Sequence, residues 1–147
     1  MPAVTSTGGS EPARPVRLLS VVVDCADPDV SSRFWQDLLG YERLYDDADE
    51  HGTEWVTIGR PDDPADRLSF QRVFDHQGPT WPEGPRPQQL HLDLRVDDLD
   101  SADERARSLG AQPLGDVVVH PDETFRVYAD LDGHPFCLVQ QVRRSDG

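Results

Sequence analysis

Hydrophobic and polar residues alternate strictly along "QLHLDLRV", the stretch from 89 to 96. A period of two is typical of a β-strand with one apolar and one polar face. The apolar face carries three leucines and a valine, while the other carries His91, Asp93 and Arg95. A polar face of this kind either meets solvent or lines a pocket. The pattern therefore predicts a strand and makes its polar face a candidate functional surface.

The same pattern occurs twice in the chain. The stretch "LLSVVVDCADPDVSSRFWQDLLG" (18–40) aligns with "QLHLDLRVDDLDSADERARSLG" (89–110). Each copy predicts a strand, an acidic turn and a helix with an apolar stripe, ended by a glycine. Asp27 in the first copy, and Asp98 or Asp100 in the second, are residues that cap helices well. An internal repeat of this length predicts two modules of the same architecture.

Three strand-like stretches follow each predicted helix, which gives both copies the order βαβββ and the chain an α+β fold. The acidic segment 46–51 is predicted to be a solvated hairpin loop. The later strands are expected at 41–45, 53–58, 67–73, 112–119, 123–129 and 135–141. We predict a flexible N-terminal tail (1–16), a first module (17–73), a Pro/Gly-rich linker (74–88), a second module (89–142) and a C-terminal tail (143–147).

Composition narrows the classes of function. The formal net charge is −14, which argues against nucleic-acid binding because that requires a basic surface. No apolar run is long enough to span a membrane, and Cys25 and Cys137 give no disulfide framework, so a cytoplasmic protein is expected. Every basic residue is arginine, which excludes Schiff-base chemistry through a lysine.

Four segments carry a resemblance to a known family: "VVVDCADPDVSSRFWQDLLGY", "RLSFQRV", "LHLDLRVDDLDSADERARSLGA" and "YADLDGHPFCLVQ". They are similar to the bacterial glyoxalase-like subgroup of the vicinal oxygen chelate superfamily, which includes glyoxalases, bleomycin-resistance proteins and extradiol dioxygenases. The match covers about residues 17–142. The resemblance implies two tandem βαβββ modules that form a cup-shaped mixed sheet with helices packed outside, often in a homodimer.

Metal-dependent members of that superfamily take their ligands from four strand positions, commonly His or Gln, Glu, His and Glu. The resemblance maps these positions onto Ser20, Gln71, His91 and Cys137. Both carboxylates and one imidazole are therefore missing, whereas a catalytic divalent metal wants about three good protein ligands. We expect no tightly bound metal and no other cofactor. A metal, if one were held, would lie on His91, Cys137 and Gln71.

Strand parity extends the predicted cup wall, because side chains two apart share a face. Val22 is expected beside Ser20, and Asp93 beside His91. Trp55 is a stacking surface for a planar ligand if it faces the cup, whereas Trp35 is expected in the core and Trp81 either covers the cup mouth or pins the linker. The opposite, apolar face should lie under the helices; it comprises Leu19, Val21, Val23, Leu68, Phe70, Leu90, Leu92, Leu94, Phe136 and Leu138.

These features favour a domain that binds a small organic molecule in the cup. The leading hypothesis is a metal-independent isomerase or lyase in which His91 is the acid/base and Gln71 orients an oxygen. The alternative is a bleomycin-resistance-like protein that sequesters a drug or metabolite, where an acidic cup mouth attracts a cation. A third hypothesis is an atypical His/Cys/Gln metal-dependent lyase or dioxygenase, and a fourth is a remnant cup filled by its own side chains. The sequence leaves open whether the chain is an enzyme.

Overall fold

Two copies of the βαβββ unit are present in a computed structural model that describes residues 16–142. The predicted tails 1–16 and 143–147 lie outside the described residues, apart from Val16. The first unit consists of β1 (Val21–Cys25), α1 (Pro28–Leu39), β2 (Glu42–Asp49), β3 (Gly52–Arg60) and β4 (Asp63–Arg72). The second consists of β5 (Leu92–Arg95), α2 (Leu99–Ser108), β6 (Gln112–Pro113), β7 (Val118–Val119), β8 (Glu123–Ala129) and β9 (Pro135–Gln141).

Each unit folds into its own sheet, and the two sheets form a cup. The first has the strand order β1-β4-β3-β2, and the second β5-β9-β8-β6 with β7 paired to β8. In both, the strand before the helix pairs in parallel with the last strand, and the other pairs are antiparallel. The predicted α+β fold of two βαβββ modules is therefore confirmed.

Local sequence signals set the helix boundaries. The Asp27 carboxylate accepts the backbone N–H of Asp29 at 3.0 Å, and α1 ends at Gly40, whose φ of 71° is unfavourable for residues with a side chain. In the second module Asp98, and not Asp100, caps α2 by accepting the Ser101 N–H at 3.2 Å. Neither helix is long and apolar enough to cross a membrane.

Aromatic residues of α1 join the two modules into one core. Phe34 and Trp35 are each 3% exposed, and the Trp35 ring lies 5.0 Å from Phe136 of β9. Most of the predicted apolar face is covered as expected. Leu19 and Leu90 are exceptions, with exposures of 78% and 68%, because each lies before its strand begins and no helix covers it.

The acidic segment 46–51 is mostly strand, so its prediction as a loop was wrong. β2 continues to Asp49, and only Glu50 and His51 lie outside a strand before β3 begins. β2 is the outer strand of its sheet, so its carboxylates remain hydrated while its backbone pairs with β3. An ion pair with Arg72 of β4 anchors the end of the hairpin and lowers the pKa of Asp49 to about 2.

Candidate functional site

A cavity of about 490 Å³ lies where the outer strands β1 and β5 face each other. The linker and the turn between β8 and β9 complete its walls. A second cavity of about 400 Å³ shares Val21 and Leu92 with the first, so the two adjoin along the strand junction. Val22 and His91 line the larger cavity, and Ser20 and Asp93 the smaller. Trp55, Gln71 and Cys137 line neither.

A compact polar group of the second module contains His91, Asp93 and Cys137. Their potential ligand atoms lie within 4.8 Å of one another, and Asp93 is the ladder partner of Cys137. His91 Nε2 lies 3.3 Å from the Asp93 carboxylate. Burial, and then the charge of Asp93, raises the pKa of Cys137 to about 11. The thiol is therefore protonated at neutral pH and is a poor nucleophile.

A chain of hydrogen bonds occupies the cup face of the first module. The Trp55 indole N–H donates to Thr57 at 2.8 Å, Thr57 contacts Ser69 at 2.8 Å, and Ser69 contacts Ser20 at 2.7 Å. The Ser20 hydroxyl lies 3.3 Å from the carbonyl of Arg67. If Ser20 donates to that carbonyl, Ser69 must donate to Ser20 and Thr57 to Ser69, because each hydroxyl has one hydrogen. In that arrangement every hydroxyl hydrogen of the chain is committed, and the indole N–H holds the Trp55 ring.

Gln71 is engaged separately from the other predicted site residues. Its amide Nε2 donates to the Asp24 carboxylate at 2.6 Å, and the two residues are ladder partners. The ladders also pair Val22 with Ser69 and Asp93 with Cys137. Aligning the modules on the helix caps Asp27 and Asp98 makes Val22 the counterpart of Asp93. The ladder partners of these two residues are then also counterparts, so Ser69, rather than Gln71, corresponds to Cys137.

These positions do not fit a catalytic divalent ion. Ser20 belongs to an internal hydroxyl chain, Gln71 is paired with Asp24, and Cys137 is a protonated thiol. Such an ion typically needs about three anionic or imidazole ligands turned toward one point. The structure brings Asp93, and not Gln71, to His91 and Cys137. The ligand atoms of this trio lie within 4.8 Å of one another, but a metal bound there would have to displace the proton of the Cys137 thiol, whose pKa is raised to about 11.

The back wall of the larger cavity contains functional residues that sequence reasoning missed. The Trp35 indole donates to Asp130 at 3.1 Å, and the backbone N–H of His134 donates to the same carboxylate at 2.8 Å. Burial raises the pKa of Asp130, and the neighbouring His134 opposes that rise. His134 Nε2 also donates to the carbonyl of Asp24 at 2.6 Å and so links the modules. The sequence "DLDGH" lies between the strands predicted at 123–129 and 135–141, so sequence reasoning indicated only a connection here.

The linker forms a folded wall rather than a loose connection. Thr80 and Arg86 close a loop, because the Thr80 N–H donates to the Arg86 carbonyl and the Arg86 N–H to the Thr80 hydroxyl. His76 lies 5.4 Å from the ring of His134, and its buried Nε2 has no partner among the described residues. Trp81 lines neither cavity, so it does not cover the larger one.

Comparison with known proteins identifies the family. The sequence model of the glyoxalase-like domain matches residues 20–139, so the chain belongs to that family. No functionally curated protein matches the sequence.

Solved structures with the same fold include proteins described by what they bind or resist. An antibiotic-binding protein from a Streptomyces species is 22% identical, with a TM-score of 0.59 over 86% of this chain and 97% of that one. A fosfomycin resistance protein from Listeria monocytogenes is 14% identical, with a TM-score of 0.65 over 88% and 96%. A glyoxalase family protein from Bacillus cereus is 16% identical, with a TM-score of 0.70 over 92% and 100%. At these identities the likeness supports the fold alone.

Proposed function

We propose that this member of the glyoxalase-like domain family binds a small organic molecule at the junction of its modules and holds it unchanged. The observation that carries the proposal is the 490 Å³ cavity, a size suited to a drug-like or metabolite-like ligand. Val21, Val23, Trp35 and Leu92 give it an apolar wall, and carboxylates and imidazoles give it a polar one. A site of this composition desolvates a hydrophobic ring and orients its polar substituents.

The protonated Cys137 thiol and the hydrogen-bonded Gln71 amide favour a protein that holds its ligand over an enzyme that converts it. Turnover through Cys137 would need a thiolate, but the pKa of this thiol is raised to about 11. Orientation of a substrate oxygen by Gln71 would require its amide to leave Asp24. The Streptomyces protein, described as antibiotic-binding, agrees with a binding role.

A ligand panel with a cavity-filling variant tests this function. We expect at least one antibiotic or metabolite to raise the melting temperature, because a ligand specific to the native state stabilises it. Val22→Trp should abolish the shift by filling the cavity, whereas Val119→Trp, on an exposed position of β7, should retain it. The ligand should be recovered chemically intact. A shift that survives Val22→Trp, or the absence of any shift across the panel, would oppose the proposal.

Acid/base catalysis at His91 is the second candidate function. The contact between His91 and Asp93 favours it, because a carboxylate lies 3.3 Å from the imidazole of a residue that lines the cavity. Such an enzyme would move a proton in a metal-independent isomerisation or elimination. Its signature would be a panel ligand that is consumed over time. His91→Gln would then stop consumption while largely preserving the thermal shift.

We further propose that the protein is a cytoplasmic homodimer. Large apolar side chains are exposed on the segments that lead into β1 and β5, namely those of Val16, Leu18, Leu19 and Leu90. A second copy of the chain would cover them. Both cysteines are free and buried, as suits a reducing compartment. Light scattering should give twice the chain mass, and Leu19→Glu combined with Leu90→Glu should reduce it to one chain. Cell fractionation tests the location.

A further inference from the structure

We propose that the cavity selects ligands that donate hydrogen bonds, in particular planar organic cations bearing amino groups. This inference rests on the proposed binding function and specifies its ligand class. It follows from the charge and the free acceptors of the cavity wall. Several charged or strong acceptors retain free lone pairs, whereas the free donors are the neutral amides of Gln77 and Gln89, the His76 ring and the terminal nitrogens of a single guanidinium group, Arg86.

A hydrogen bond fixes the tautomer of one imidazole in the wall. His134 Nε2 lies 2.6 Å from the carbonyl of Asp24, and a carbonyl only accepts, so this nitrogen carries the hydrogen. In the neutral ring Nδ1 of His134 therefore keeps a lone pair, which accepts but cannot donate.

The carboxylates of the wall add further acceptors, while the amides of Gln77 and Gln89 can both donate and accept. The Trp35 N–H is spent on Asp130, and one oxygen of Asp24 accepts from Gln71 while the other is free. Asp75 lines the same cavity and has no hydrogen-bond or ion-pair partner among the described residues. The linker supplies His76, whose free Nε2 can adopt either role.

Charge favours a cation at this site. Asp24, Asp75 and Asp130 line the cavity against a single cationic side chain, Arg86, so carboxylates exceed guanidinium groups by two. Arg86 is exposed on the linker and spends its Nε–H on the Gly78 carbonyl. The net charge of −14 on the whole chain adds a long-range field of the same sign. A planar ring would lie against the apolar wall while its amino groups donate to the free acceptors.

Three dyes separate hydrogen-bond donation from charge. Proflavine is a planar acridine cation with two amino groups, and acridine orange has the same ring and charge but carries methyl groups in place of the amino hydrogens. Fluorescein is a planar anion of similar size. At physiological ionic strength we expect fluorescence titrations to show proflavine binding with one site per chain, at least about tenfold more tightly than acridine orange. Fluorescein should not bind.

Substitutions test whether the cavity is responsible for the preference for proflavine. Asp24→Asn combined with Asp75→Asn should weaken proflavine by about tenfold or more, because two charged acceptors become neutral. Asp116→Asn, an exposed position that lines neither cavity, should leave proflavine binding unchanged. Val22→Trp should abolish it.

The outcomes distinguish this inference from the binding function itself. Equal affinity for the two acridines, a preference for fluorescein, or an unchanged affinity in the double Asn variant would overturn donor selectivity. In those cases dye binding that Val22→Trp abolishes would still support a ligand cavity. If no dye bound at a saturable site, donor selectivity would fail, and the absence of any hit in the thermal-shift panel would then remove the binding function as well.

Discussion

The contact between Trp35 and Asp130 should be a main energetic link between the two modules. Trp35 is on α1 of the first module, and Asp130 follows β8 of the second. Asp130 is only 7% exposed, and the indole N–H is the sole side-chain donor recorded to it among the described residues. The other two donors are the backbone N–H groups of Asp132 and His134. Replacing Trp35 with Phe removes this donor while keeping an aromatic ring against Phe136.

The expected cost of Trp35→Phe has two parts. A hydrogen bond from a neutral donor to a buried carboxylate contributes about 1.5–3 kcal/mol. The smaller ring leaves a void of roughly 40 Å³, which adds about 1 kcal/mol at the usual cost per volume. The variant should therefore lose about 3 kcal/mol, a large share of a typical domain stability of about 5–15 kcal/mol.

A double-mutant cycle in urea isolates the hydrogen-bond part. In the Asp130→Asn background the new amide must turn its N–H₂ either toward the indole or toward the two backbone N–H groups, so a donor faces a donor in both orientations. Trp35→Phe should then cost at least about 1 kcal/mol less than in the wild-type background. Far-UV circular dichroism follows unfolding without relying on tryptophan fluorescence. Equal costs in the two backgrounds, within about 0.5 kcal/mol, would refute the reasoning.

The pH dependence gives a second test of the same contact. Burial raises the pKa of Asp130 above its unfolded value, so the stability that this group contributes is complete below the ordinary aspartate value of about 3.9 and is lost as pH rises through the folded pKa. The Trp35 N–H lowers that pKa and offsets part of the loss. Trp35→Phe should therefore cost more, relative to wild type, at pH 7 than at pH 3. The opposite trend would contradict a hydrogen bond to an ionised Asp130.

Three further predictions concern the polar groups of the cup. In a Cys25→Ser background, Cys137 should react slowly with iodoacetamide at pH 8. Asp93→Asn should speed this alkylation, because it removes a charge that raises the pKa of the thiol. A Cys137 rate equal to that of an exposed thiol would contradict the raised pKa. Protein purified without chelator should hold far less than one zinc per chain, whereas stoichiometric zinc lost in Cys137→Ala would reverse our conclusion on metal fit. Thr57→Val should cost about 1 kcal/mol in urea by breaking the chain at Trp55, while Thr53→Val, at a hydroxyl that makes an exposed contact with Asp29, should cost clearly less.

Sequence patterns predicted the features that depend on neighbouring residues. Capping by Asp27 and Asp98 and the alternation of β1 and β5 are local, so they were visible in the chain itself. The bond between Trp35 and Asp130 joins residues 95 positions apart, and no periodicity encodes it. The alternation of hydrophobic and polar residues also extends beyond the paired part of β5. It therefore predicted a covered Leu90, although the strand begins only at Leu92 and Leu90 is exposed.

The partners of the predicted site residues depended on strand register, which the sequence left undetermined. The resemblance mapped both Gln71 and Cys137 to ligand positions, and each follows a Phe in the sequence. The ladders instead place Gln71 opposite Asp24 and Cys137 opposite Asp93. A shift of two residues preserves the face of a strand while changing its partner. The composition of the cup face was therefore predictable, and its contacts were not.

The polar groups predicted for the cup lie in two separate clusters, and this has a consequence for what the cup can bind. A hydrogen-bonded chain on the first sheet contains Ser20, Ser69, Thr57 and Trp55, and a compact group on the second contains His91, Asp93 and Cys137. Among the described residues no hydrogen bond or ion pair joins the two clusters across the junction. A metal that drew ligands from both modules would have to break contacts in each. An organic ligand can bridge the same junction without that cost, because it needs only the apolar edges of β1 and β5 and the lone pairs that the clusters leave free.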